Sequence, residues 1–374
     1  MGHMERGARI ERIELHRVGL RLRTPVRTAY GVEDHRDVVL VRLLTDQGEG
    51  WGECAALPEP TYASEYVAGA LHVLERHLGP RLLGAAVVGG DVTPLLHDVV
   101  GHPMARSTLA MAALDAHLCH AGRSLADHLG APDDVVAAGV TIGIDSDLGR
   151  LRDTVAQAVD AGYRNVKLKV RPGWDVEPVT VARAAAGVAS LVVDANGSYG
   201  AGDRDALHAL DDAGADVIEQ PGPTDALDDH AALTATLTTP VALDEDVTSV
   251  GVVRLVGQLA AARAVAIKPG RFGSLPAALA AARVARGLGL GCWVGGMYET
   301  GIGRAANLAL AACDAFDRPV DWSASDRYWD RDVTEPHVLR DGRLAVPSGP
   351  GLGVSPDVEW IAAQTRESRV VAAR

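Results

Sequence analysis

Seven short apolar runs, each followed by a polar turn and an Ala-rich helical stretch, predict an α/β protein built on a modified TIM-type (β/α) barrel of about seven to eight βα units. The runs are "VAAGVTIGI", "RNVKLKV", "LVVDAN", "DVIEQP", "PVALDED", "AVAIKPG" and "GCWVGGMYE". Five of them end near an ionisable residue: Lys169, Asp194, Glu219, Asp244 and Lys268, spaced 25, 25, 25 and 24 residues apart. A repeat of that length fits one βα unit, and barrel chemistry sits where the strands end. A doubly wound sheet is the competing arrangement, but no GxGxxG turn follows any of the runs.

The elements follow in chain order. The opening "MGHM" resembles a cloning remnant and carries no fold signal. Residues 5–130 read as an α+β domain. "RIERIELHRVGLRL" and "DVVLVRLLTD" are strand patterns, and "DQGEGWGE" supplies a turn and a return strand. Helical patterns follow in "ASEYVAGALHVLERHL", "DVTPLLHDVV" and "ARSTLAMAALDAHLCHA". The barrel occupies residues 131–322. Residues 323–374 are turn-rich, as in "VPSGPGLGVSP", and are expected to pack back onto the first domain.

Of the 374 residues 47% are hydrophobic and 23% charged, which suits a large globular core that needs no metal or disulfide to hold it. The net charge of −13 argues against a nucleic-acid surface and against a polybasic membrane patch. Cys54, Cys119, Cys292 and Cys313 are widely spaced with no CxxC, so reduced thiols and a cytoplasmic protein are expected. No apolar stretch reaches spanning length and no signal-peptide pattern appears. A homo-oligomer is expected. "HLCH" (His117–His120) lies in an Ala/Leu helix and reads as an ordinary helix face.

The strand "VKLKV" raises a sharper question, because it places two lysines on one face of an apolar run. At the barrel top, Asp194, Glu219 and Asp244 would converge from consecutive strands and repel one another without a compensating charge. All-oxygen ligation suits a hard divalent cation, Mg²⁺ with Mn²⁺ as substitute. Lys169 and Lys268 would flank that cation from opposite sides. Lys167, on the same face as Lys169, would lower its neighbour's proton affinity and leave it basic near neutral pH. Such a site suits removal of the α-proton of a carboxylate. A Schiff-base lysine is the weaker alternative, since it needs neither the metal nor the second lysine.

With these residues in view, the chain resembles the enolase superfamily, muconate-lactonizing subgroup, over nearly its whole length. The resemblance is carried by "KLK" (Lys167, Lys169), "DAN" (Asp194, Asn196), "IEQP" (Glu219), "LDED" (Asp244, Glu245), "IKPGR" (Lys268, Arg271) and "GGMYETGIGRAANLALA" (Glu299). "GWGEC" and "GPGLGV" point within it to the o-succinylbenzoate synthases and N-succinylamino acid racemases. It implies that the α+β domain caps the barrel mouth and selects a small-molecule carboxylate. It also implies that Thr141, Asn196, Gly296, Met297, Tyr298, Val26 and Leu57 line the substrate pocket. Glu245, Arg271 and Glu299 would support it, Glu299 either by positioning Lys268 or by capping its own strand. Val26, Ala29, Tyr298 and Asp246 depart from the residues usual in such relatives. The leading function implied is o-succinylbenzoate synthesis by syn dehydration, a lyase step of the menaquinone pathway. The alternative is an N-acylamino acid racemase, and a non-catalytic barrel is the third.

Overall fold

The computed structural model describes residues 7–29 and 31–372, so the "MGHM" remnant lies outside the described residues. Three antiparallel strands, Ala8–Thr28, Gly31–Thr45 and Gly48–Cys54, open the chain. The last strand, Thr365–Ala372, returns to pair antiparallel with the first and completes the path of this sheet. The helix Pro103–Ala121 lies on the sheet, starting with a proline at its first position and stopping at Gly122, whose φ of 63° ends the helical ladder. The repeated glycines of "GEGWGEC" explain its close approach. A Cβ at Gly50 would clash with Ala112 O, and one at Gly52 with Thr108 O. Between them Trp51 N donates to the buried Asp115 carboxylate (2.7 Å), which also receives Leu352 N of "GPGLGV" (2.7 Å). One buried acid therefore ties helix, sheet and tail together.

The sequence predicts a helix over "DVTPLLHDVV", but the chain forms only a 3₁₀ turn there, Thr93–Leu95. Only Val92 and Leu96 of that stretch are buried, with Val99 partly so, too few to hold a helical face, and Pro94 removes a donor.

The barrel strands are Gly139–Ile142, Asn165–Lys169, Ser190–Asp194, Val217–Glu219, Val241–Leu243, Ala264–Ile267 and Gly291–Val294, parallel and neighbouring in chain order. Helices cover their outer face, with Asp147, Ser249 and Ser274 capping three of them. An eighth stave closes the ring without forming a strand. In residues 317–323, Val320 N donates to Ala137 O (3.2 Å) and Trp322 O accepts from Gly139 N (3.2 Å). On the other side, Arg318 N donates to Cys292 O (3.2 Å) and Trp322 Nε1 to Val294 O (3.1 Å). Gly139 makes this possible, since a Cβ there would strike Val320 O. Pro319 cannot donate to a ladder, which suits a stave outside regular pairing.

The two lobes are pinned by Glu53, a buried acid of the third cap strand. It accepts from Thr300 N (2.9 Å), Thr300 Oγ1 (2.6 Å) and Gly303 N (2.8 Å) at the start of the barrel helix Gly301–Ala311. An anion at a helix N-terminus meets unpaired N–H groups and the positive end of the dipole. The pairing of "GWGEC" with "ETGIG" therefore has a physical reason. Among the described residues all four cysteines are free, and no helix is long and apolar enough to cross a membrane.

Candidate active site

Period-two geometry sends Lys167 and Lys169 into the barrel, while Val166, Leu168 and Val170 are buried on the opposite face against the helices. Parallel register sets Lys169 beside Asp194 and Asp194 beside Glu219. Asp244 and Lys268 each follow the last residue of their strand. In a ring of seven strands and a stave, the Lys169 and Lys268 strands stand four places apart, facing each other across a cavity of about 70 Å³ that both line.

The charges are tightly interlocked. Lys167 Nζ reaches Glu219 Oε1 (2.6 Å), Asp321 Oδ2 (2.8 Å) and Asp194 Oδ2 (2.9 Å). Lys169 Nζ donates to Asp194 Oδ2 (2.7 Å) and Asn196 Oδ1 (2.9 Å). Lys268 Nζ donates to Asp244 Oδ2 (2.8 Å), and Arg271 Nη1 lies 3.0 Å from Asp244 Oδ1. Two sequence expectations are corrected here. The three acids do have protein counter-charges, namely Lys167, Lys169, Lys268 and Arg271. Lys169 also sits above its ordinary pKa rather than below: burial and Lys167 both disfavour its charge, but the adjoining Asp194 carboxylate outweighs them. Lys167 is primarily a counter-ion held by three carboxylates, and they raise its own proton affinity against the cost of burial.

The acids respond in kind. Burial opposes the charge of Asp194, yet Lys167 and Lys169 hold its pKa down to about 2. Asp244 is driven lower still by Lys268 and Arg271, again against burial. Glu219 goes the other way: burial, with repulsion from Asp194 and Asp244, outweighs Lys167 and pushes it well above the carboxylate range. Among the described residues no three acidic, His or Cys side chains are grouped as a ready cation cage, because the carboxylates are turned onto the lysines. Their fit to a metal rests on one atom in particular. Glu219 Oε2 is fully buried and has no hydrogen-bond partner. An orphaned carboxyl oxygen whose ionisation is opposed by burial and by two acidic neighbours is one that a hard cation would satisfy.

Six of the seven residues expected at the substrate pocket, Thr141, Asn196, Gly296, Met297, Tyr298 and Leu57, line this one cavity. Val26 does not. It lies beside Gly143, where the cap strand docks through Ile144 N to Arg27 O (2.9 Å), and Thr28 and Glu33 take the place at the cavity wall. Tyr298 holds a left-handed φ of 58°, costly for a bulky side chain, and packs edge-on to Tyr328 (5.9 Å). Burial raises its hydroxyl pKa to about 12 while Lys169 draws it down. Asn196 donates its amide to Glu245 Oε1 (2.9 Å), fixing the oxygen that meets Lys169. Burial and the nearby Asp244 lift Glu245 to about 7. Glu299 makes the cap-type contact, accepting from Met297 N (2.9 Å). Asp246 accepts from Gln220 Nε2 (2.7 Å) and Asp225 N (2.8 Å), outside the cavity wall.

Three contributors escaped sequence reasoning. Asp321 comes from the irregular stave, which has no strand pattern to flag it. Glu53 lies within a recognised motif, but only the fold reveals its partner. Tyr62, from the cap loop after the third strand, takes a hydrogen bond from Lys268 Nζ (2.5 Å), donates to Asp244 Oδ2 (3.0 Å) and contacts Arg271 Nη2. Its ring also lies 4.7 Å from Lys268 Nζ.

A closed barrel with acids and lysines at its strand ends, under an α+β cap, defines the class: a capped (β/α) barrel with its charged residues gathered at one mouth. The chain belongs to the enolase superfamily. Residues 150–360 match the enolase C-terminal domain-like family, and residues 11–130 match the mandelate racemase/muconate lactonizing enzyme N-terminal domain. It is 45% identical to an N-succinylamino acid racemase of Amycolatopsis sp., over 93% of this chain and 95% of that one. It is 36% identical to an o-succinylbenzoate synthase of Enterococcus faecalis, over 92% and 95%. Among solved structures, an enolase-superfamily member from Listeria innocua superposes with a TM-score of 0.93 at 33% identity, covering 98% of this chain and 99% of that one.

Proposed function

We propose that this protein removes the α-proton of a small-molecule carboxylate, and that its main reaction is racemisation of an N-acylamino acid. The observation that carries the reading is the pair of lysines facing each other across one cavity. Moving a proton from one face of a carbon to the other needs a base on each face, and the opposed Lys169 and Lys268 are the candidates for those bases. Asp194, Glu219 and Asp244 are the residues that would hold Mg²⁺, or Mn²⁺ in its place. When bound, the metal supplies positive charge beside the substrate carboxylate as the α-proton leaves. Asn196 orients Lys169. Tyr62 and Arg271 hold Lys268 and its Asp244 partner. Lys167, braced by Asp321, keeps positive charge at the cavity floor.

Syn dehydration to o-succinylbenzoate is the second reading, supported by the synthase relatives. It needs one base, Lys169, with Lys268 acting as a fixed cation. The test is α-proton exchange in D₂O with both enantiomers of several N-acylamino acids, beside a dehydration assay. Exchange with inversion from both enantiomers supports racemisation. Dehydration alone would overturn it in favour of the lyase.

A further inference from the structure

The mouth of the cavity differs in charge from its floor. The floor carries Lys167, Lys169, Lys268 and Asp321, whereas the lid is the hairpin end of the first two cap strands. That lid is tied down on two sides, by Ile144 N to Arg27 O (2.9 Å) and by Arg23 N to Tyr328 O (2.9 Å). From it, Glu33 lines the cavity beside Thr28, with Leu57, Tyr298 and Tyr328 completing the distal wall. Glu33 is half-buried, its backbone pairs with Val26 in the sheet, and among the described residues its carboxylate makes no hydrogen bond or ion pair. The nearby Arg36 guanidinium donates through Nη1 and Nη2 to the carbonyls of Asp37, Ala55 and Ala56 (2.6–3.1 Å), and its Nε is buried without a partner. Partial burial raises the Glu33 carboxyl pKa, with Arg36 opposing, and its charge reaches the Tyr298 hydroxyl.

We infer that Glu33 sets the charge of the substrate's distal end: the pocket disfavours a second carboxylate there and favours a hydrogen-bond donor, above all a cation. This rests on the reading that the α-carboxylate occupies the barrel end, which leaves the remainder of the molecule facing the lid. The distal group can be the acyl chain or the amino acid side chain, since either could reach Glu33. A succinyl group would bring a carboxylate toward an unpaired carboxylate, whereas a lysine-type side chain would bring it a partner.

The test is calorimetric binding to the Mg²⁺-loaded protein of N-acetyl-L-norleucine, N-succinyl-L-norleucine and Nα-acetyl-L-lysine, for wild type and Glu33→Gln. Wild type should bind the acetyl compound more tightly than the succinyl one, and the lysine more tightly than the norleucine, each by about tenfold at low salt. Glu33→Gln should bring both ratios within about twofold of unity. High salt should narrow both ratios in wild type, a check that does not depend on the variant folding. A movement in the first ratio alone assigns the acyl chain to Glu33, and in the second alone the side chain. Equal ratios in wild type, or ratios that neither the variant nor salt moves, would overturn the assignment. α-Proton exchange on the same compounds is read separately: discriminating binding without exchange would sink the racemase reading and leave Glu33 its role.

Discussion

The two lysines of the site are held by different parts of the molecule. Among the described residues, Lys169 is bonded only to its own barrel, through Asp194 and Asn196. Lys268 has one barrel partner, Asp244, and one cap partner, Tyr62, whose loop also reaches Arg271. One side of the cavity is therefore complete when the barrel has folded. The other needs the cap loop in place as well, so on the proposed reading cap position and proton transfer are linked through Lys268.

The largest expected effect would erase the comparison altogether. Removing divalent cations with EDTA should abolish turnover on both sides, and Mg²⁺ or Mn²⁺ should restore it. Full activity in protein shown by elemental analysis to be metal-free would break the assignment of Asp194, Glu219 and Asp244. Next, Lys169→Ala and Lys268→Ala should each stop racemisation, and each should lose α-proton exchange from one enantiomer by about 10²- to 10⁴-fold while sparing the other. Identical losses from both enantiomers in both variants would show that the lysines do not divide the faces between them.

A smaller effect sharpens the asymmetry. Tyr62→Phe deletes the hydroxyl between Lys268 and Asp244 and should slow the Lys268-dependent exchange by roughly tenfold, the scale of one charged hydrogen bond. Exchange through Lys169 should change little, and equal slowing of both would deny the link to the cap.

The remaining effect is on stability rather than on rate. Glu53 pins the cap against the barrel, and burial lifts its pKa to about 7 although the Thr300 and Gly303 donors favour its charge. The folded protein thus binds this proton more tightly than the unfolded chain does. Its contribution to stability is present below the ordinary carboxylate pKa and is lost as pH rises toward 7. Urea unfolding at pH 5 and pH 8 should show wild type losing roughly 2–3 kcal/mol more than Glu53→Gln over that interval. The same pH dependence in both proteins would place the titration elsewhere.

The contrast between the lysines also explains what could be read from the sequence. Lys169, Asp194, Glu219, Asp244 and Lys268 were legible because each parallel strand repeats the same geometry, so chemistry recurs at a fixed interval. Asp321 and Tyr62 complete that site from stretches with no period, an irregular stave and a loop, and their contacts are set by tertiary packing alone. Only the repulsion of Lys167 on Lys169 was legible; the Asp194 carboxylate that reverses the net direction is set 2.7 Å away by tertiary packing. Val26 failed for a related reason: the strand carrying it was recognisable, but where that strand docks depends on Gly143, more than a hundred residues away.

The Glu53 pin has one more consequence. Thr300 and Gly303 begin a barrel helix, yet their amide hydrogens are held by the two carboxylate oxygens of Glu53 in the cap. Those two hydrogens are shielded from solvent for as long as the lobes stay together, and they exchange with deuterium when the lobes part. Neighbouring amides deeper in the same helix donate to its own carbonyls and keep their protection through such an excursion. The protein thus carries a built-in gauge of how often its two halves separate, readable amide by amide without any label.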